Sequence, residues 1–149
     1  MPGYISSVSE KVDSQGWYRI ARAKSFRQYP PDSCIISIKR HYNHIHPEYQ
    51  RIQFLGAYTK CRFISLSAIS GLHLWDKIRE TYDETNGTYY MEIYQNRSSE
   101  NVWIISLEET LSTSGIEYNW KAMAPELTSE TVSGVTVLAS LDLPANNPA

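Results

Sequence analysis

One stretch, Thr88 to Leu107 (TYYMEIYQNRSSENVWIISL), limits the possible folds more than any other part of the chain. Tyr89, Met91 and Ile93 alternate with Tyr90, Glu92 and Tyr94, the period-two pattern of a half-buried strand. Gln95 to Asn101 has no apolar residue and reads as a turn or short loop. Val102 to Leu107 is β-branched and aromatic, with apolar side chains on both parities, which suits a strand covered on both faces. Two such runs across so short a loop most simply form an antiparallel hairpin at the centre of a sheet. Nothing in the hairpin is catalytic, so it specifies a scaffold.

The flanking sequence repeats the theme. Residues 1–15 are polar and Ser-rich without steady periodicity, and read as a lead-in or linker. A turn at Ser14–Gly16 precedes a strand from Trp17 to Ala23, with Tyr18 and Ile20 on one face and Trp17, Arg19 and Ala21 on the other. Pro30–Pro31 makes a loop, and Cys34 to Lys39 a second strand. RHYNHIHPEYQ reads as an exposed loop leading to a strand at Arg51–Tyr58, and Lys60 to Ala68 alternates again. LWDKIRETY has Leu74, Ile78 and Tyr82 at helical spacing, yet the hairpin signal DETNG after it favours a strand into Asp83–Gly87. Ile116 to Ala122 suggests a short strand, Pro125 to Gly134 a Ser/Thr-rich connection, and Val135 onward the last apolar segment. About eight strands without a convincing helix predict an all-β protein, an antiparallel β-sandwich of jelly-roll type. A single domain is expected over 16–143, with 144–149 as a tail.

Composition narrows the function. At 149 residues, 42% apolar and 20% charged, the chain can bury a real core and is not disordered by composition. No apolar run reaches the roughly 18–20 residues of a spanning helix, so no membrane insertion is expected. MPGYISSVSE lacks the basic and apolar regions of a signal peptide. A net charge of −2 gives no general attraction to nucleic acid. Eleven Tyr and four Trp against three Phe favour sheets, interfaces and sugar-binding surfaces. Cys34 and Cys61 lie in separate strand-like runs. Two packed free thiols are expected, with a disulfide across adjacent strands as the alternative.

From GWYRIA at positions 16–21 the chain resembles a module of bacteriophage tail-fibre and neck-appendage proteins. The matching motifs continue through CIISI (Cys34–Ile38), KIRETY (Lys77–Tyr82), and the pair Tyr90–Asn96 and Asn101–Ile105, about ninety residues in all. The second strand opens on Cys34 where the pattern favours an aromatic residue. The resemblance implies a jelly-roll head at the distal end of a homotrimeric fibre. It would be made in the host cytoplasm, carried in the virion, and attach to a bacterial surface receptor, often a glycan. No catalytic residue is carried over with these motifs.

Candidate chemistry is sparse. His41, His44 and His46 have the spacing HxxHxH, which could supply imidazoles to a transition metal, and the HxH element at His44 and His46 is similar to metal-binding positions in some phage fibre tips, where three chains meet on an axis. The charged, Pro-containing loop favours solvated histidines instead, so neither a metal nor another cofactor is expected. A glycosidase needs two carboxylates facing across a cleft, and acids scattered over strands and loops do not specify one. There is no GxSxG elbow and no phosphate-binding glycine loop. The expected activity is non-enzymatic binding. A glycan-degrading tailspike fragment and a free-standing lectin-like domain are the alternatives. Sugar recognition combines aromatic faces with planar hydrogen-bonding side chains. The loops holding such residues nominate Tyr42, Asn43, His44 and Tyr49, and then Asn96 and Arg97.

Overall fold

Alternation of the kind seen at 88–95 recurs along the chain, and in the computed structural model each such run becomes a strand. The structure describes residues 4–24, 33–41, 48–56, 61–70, 73–98, 101–109, 119–129 and 131–144. Among them are ten strands and no helix. In chain order these are β1 (Tyr4–Val12), β2 (Gly16–Lys24), β3 (Cys34–His41), β4 (Glu48–Gly56) and β5 (Cys61–Ser70). They continue with β6 (Trp75–Asp83), β7 (Thr88–Gln95), β8 (Asn101–Glu109), β9 (Lys121–Thr128) and β10 (Val135–Asp142).

They form two five-stranded antiparallel sheets, ordered β1-β8-β3-β4-β5 and β10-β6-β7-β2-β9. The first is called sheet A and the second sheet B. Together they make an antiparallel β-sandwich, in which the pair β2–β7 of sheet B is nested in sequence within the pair β1–β8 of sheet A. Side chains between the sheets form one core. Trp103 of β8 meets Tyr18 of β2 edge-on at 5.1 Å and Trp75 of β6 at 5.6 Å. Towards the other end Phe54 packs on Phe63 and Trp120, with centroids 5.2 and 5.3 Å apart. Such geometry adds roughly 0.5–1.5 kcal/mol per pair beyond area burial.

The predicted β7–β8 hairpin does not form: β7 pairs with β2 and β6, and β8 with β1 and β3. The two strands lie in different sheets. Both are interior to their sheets, but only β7 is buried on both faces; in β8, Trp103, Ile105 and Leu107 are buried between the sheets while Val102 and Ile104 remain half-buried on the outer face. The polar run between them contains no glycine for a tight primed turn. At its start Asn96 donates its backbone N–H to Leu74 O at 3.0 Å and is held at the end of the sandwich.

Residues 1–15 are not simply a lead-in, because Tyr4–Val12 pairs along its length with β8. An edge strand needs one apolar face and one neighbour. Val8 and Val12 supply that face, and Ser6 Oγ accepts from Ala122 N at 2.8 Å, tying β1 to β9. Of the strand expected at Ile116–Ala122, residues 116–118 lie outside the described residues; β9 begins at Lys121 and runs through Pro125 to Thr128. Proline is tolerated because β9 is an edge strand, and a register shift opposite Arg19–Ala21 absorbs it. The same irregularity in β2 buries both Ile20 and Ala21, so Ala21 does not share the face of Trp17 and Arg19. Cys34 and Cys61 form no disulfide. Their strands flank β4, so roughly two strand spacings separate them, beyond disulfide reach.

Candidate functional site

Strand pairing decides which side chains share a surface. On the outer face of sheet B, Trp17 of β2 lies across from Tyr94 of β7, and Tyr94 across from Lys77 of β6. One step along, Arg19, Glu92 and Arg79 form the next row. Glu92 takes Arg19 Nε on Oε2 at 3.1 Å and Arg79 Nε on Oε1 at 2.7 Å, and Thr81 donates its hydroxyl to Oε2 at 3.2 Å. Each guanidinium also lies over an aromatic ring, Arg19 over Tyr90 and Arg79 over Trp17, both at 3.9 Å. Arg79 Nη2 donates to Ser129 O at 3.0 Å, because the connection from β9 to β10 passes from one edge of the sheet to the other over this face. The face is therefore a second packed layer rather than a bare surface.

Where that layer ends, a groove of about 280 Å³ opens, lined by Trp17, Asp76, Lys77 and Tyr94. Trp17 and Tyr94 are tilted at 59° with centroids 5.4 Å apart, and Gln15 Nε2 donates to the Tyr94 hydroxyl at 3.0 Å. Asp76 Oδ1 accepts from His73 Nε2 at 2.9 Å and from Asn96 Nδ2 at 2.7 Å. The same amide also donates to His73 O. His73 has a left-handed φ of 51°, which turns the chain so that Leu74 N can donate to Glu48 Oε1 at 2.8 Å. Lys77 Nζ stands 3.6 Å from Asp142 Oδ1 and is half exposed. Beneath the same end, inside the sandwich, burial pushes the Arg40 guanidinium down from its ordinary value, and Glu48 opposes the shift.

The residues nominated from sequence fare unequally. Tyr42, Asn43 and His44 lie outside the described residues, as does His46. The strands that flank their loop end at His41 and Glu48, at the same end of the sandwich as Gln95 and Asn101. Tyr49 is half-buried on the outer face of sheet A, opposite Ile69 and Lys39, away from the groove. Asn96 positions Asp76 rather than offering its amide outward, and exposed Arg97 donates from Nε to Asn96 Oδ1 at 3.3 Å. Sequence reasoning missed Trp17, Asp76, Lys77 and Tyr94. Their alternation was visible, but their convergence depends on the β2–β7–β6 order. Among the described residues no group of three or more His, Cys, Asp or Glu side chains could hold a metal ion.

Comparison with family models, with curated proteins and with solved structures found no match.

Proposed function

We propose that this chain is a non-enzymatic recognition module, a tail-fibre or appendage head that attaches a phage to a bacterial surface glycan through the groove at Trp17, Asp76, Lys77 and Tyr94. One observation carries the reading: an aromatic pair beside a fixed carboxylate and an ammonium, in an open groove near the lower size of small-ligand pockets. A pyranose presents an apolar face ringed by hydroxyls, which calls for an aromatic edge with acceptors and donors around it. Both donors to Asp76 use Oδ1, which leaves Oδ2 for a sugar hydroxyl. The resemblance of GWYRIA, KIRETY and the Tyr90–Ile105 region to fibre modules supplies the biological setting.

Trimerisation belongs to the same proposal. The outer face of sheet A carries half-buried Ile35, Val102 and Ile104, and Leu66 and Ile69 at 40% and 41% exposure, apolar area that a second subunit would cover. Light scattering should give a particle near three times 17.1 kDa. A monomer at micromolar concentration removes the fibre-head assembly.

The binding test is a bacterial glycan array probed with intact protein, then with Tyr94→Ala/Lys77→Ala. Binding should fall at least tenfold with little change in Tm. Full binding by the double variant moves the site elsewhere. Shortening of a bound polysaccharide during incubation replaces the attachment reading with a depolymerase.

A further inference from the structure

At the opposite end of the same outer face lies a second recess, which the proposed glycan contact does not use. Arg22 and Lys24 of β2, Thr88 and Tyr90 of β7, and Asn119 and Lys121 at the start of β9 line about 340 Å³. Arg22 pairs directly with Lys121 across the strands, and Lys24 with Thr88. All three cationic side chains are exposed, whereas Tyr90 and Asn119 are buried at the base.

This arrangement opposes stability. Like charges directly across a strand pair are destabilising, and here a third cation stands on the same face two residues further along. Among the described residues no carboxylate lines the recess. The acids of the adjoining rows are otherwise engaged. Glu92 is held by Arg19 and Arg79, Glu126 lies 3.7 Å from Arg19 Nη1, and Asp83 Oδ1 accepts from Thr85 N at 2.9 Å. The Tyr90 ring is fixed by the Arg19 guanidinium, and its hydroxyl accepts from Asn86 Nδ2 at 3.2 Å, leaving its own proton to donate. In a chain of net charge −2, three cations around one recess with no lining acid among the described residues are a local inversion of the overall balance.

We propose that this recess is an anion site, taking a carboxylate or phosphate group carried on a hydroxylated ligand. Arg22 supplies the forked pair of donors that matches an oxyanion, and Lys24 and Lys121 supply point charges on either side. The hydroxyls of Tyr90 and Thr88 serve the neighbouring hydroxyls of the ligand. The site is independent of the groove at Trp17, from which the Arg19–Glu92–Arg79 row separates it.

Backbone amide NMR titration at low ionic strength with inorganic phosphate, glucuronate, chloride and glucose tests the proposal. Phosphate, glucuronate or both should shift the signals of Arg22, Lys24 and Lys121. Glucose should not shift them, and chloride should do so far more weakly than the oxyanions. The stronger of phosphate and glucuronate identifies which oxyanion the site prefers. Arg22→Gln/Lys121→Gln should weaken binding at least tenfold with Tm unchanged or higher, because a repulsive pair is removed. Lys24→Gln alone gives a smaller loss in the same direction and serves if the double variant fails to fold. Tyr94→Ala should leave anion binding intact even where glycan binding is lost, so the two sites succeed or fail separately. Shifts of equal size with every anion, no shifts at all, or wild-type affinity in the folded variants would overturn the assignment.

Discussion

Glu80 and Glu92 stand on neighbouring strands of sheet B, at 0% and 1% exposure, on opposite faces. Glu92 lies in the outer layer between two guanidinium groups and a hydroxyl. Glu80 lies in the layer between the sheets, among apolar side chains, with the Cys61 thiol as a partial offset. Burial pushes its carboxyl up to about 7. The same residue type is thus accommodated in two ways, by countercharge on the outside of the sheet and by holding the proton on the inside. Depth alone does not decide what a buried acid does. Its cross-strand neighbours do.

The largest expected effect breaks the outer half of that contrast. Glu92→Ala leaves Arg19 and Arg79 buried without their shared carboxylate, and should lower unfolding stability by about 3–5 kcal/mol in urea denaturation. A loss below about 1 kcal/mol would mean that Tyr90, Trp17 and Ser129 O suffice to hold the two cations.

Next comes pH. Below about 4.5 the Glu80 carboxyl is protonated whether the chain is folded or not, and it contributes no pH dependence. Between about 4.5 and 7 the unfolded chain ionises while the folded one keeps its proton, so stability falls as pH rises. Above about 7 the penalty is constant, of order 3 kcal/mol. Glu80→Gln should remove this component, seen as a smaller difference in urea midpoint between pH 5 and pH 8 than the unaltered protein shows. Equal differences in the two proteins would show that Glu80 ionises normally in the fold.

A smaller effect sharpens the outer half. Thr81→Val keeps the β-branched shape and deletes the 3.2 Å hydrogen bond to Glu92, for a loss of about 1 kcal/mol. The smallest belongs to the exposed pair Lys77–Asp142, where Lys77→Ala should change stability by less than about 0.5 kcal/mol. Combined with a clear loss of glycan binding, that near-silence would separate the groove from the packed layer beside it.

The class of fold was legible because alternation is a local property. Cys34–Ile38, Trp75–Tyr82 and Thr88–Gln95 declare themselves as strands within a few residues. Partner choice is not local. Val102–Leu107 states that it needs cover on both faces, but not that β1 and β3 flank it in the sheet while β2 packs above it. β1 was illegible for another reason: an edge strand buries so little that Val8 and Val12 among serines give almost no periodic signal. The groove inherits both difficulties. Trp17, Asp76 and Tyr94 come from three strands and one end, and no spacing in the sequence records that they meet.

The nesting of β1–β8 around β2–β7 also has a consequence in time. Tyr4 pairs with Glu109, and so does Cys34, so two early strands share a partner that leaves the ribosome long after both. Until β8 emerges, β1 has no neighbour in its sheet and β3 has only β4. Pairing over such separations requires a large loop to close before any contact repays it, which places this chain among the slow, millisecond-to-second folders. In the interval the open edges of β3 and β2 are templates for strands of other chains, so synthesis of this protein favours conditions that keep nascent chains apart until the eighth strand arrives.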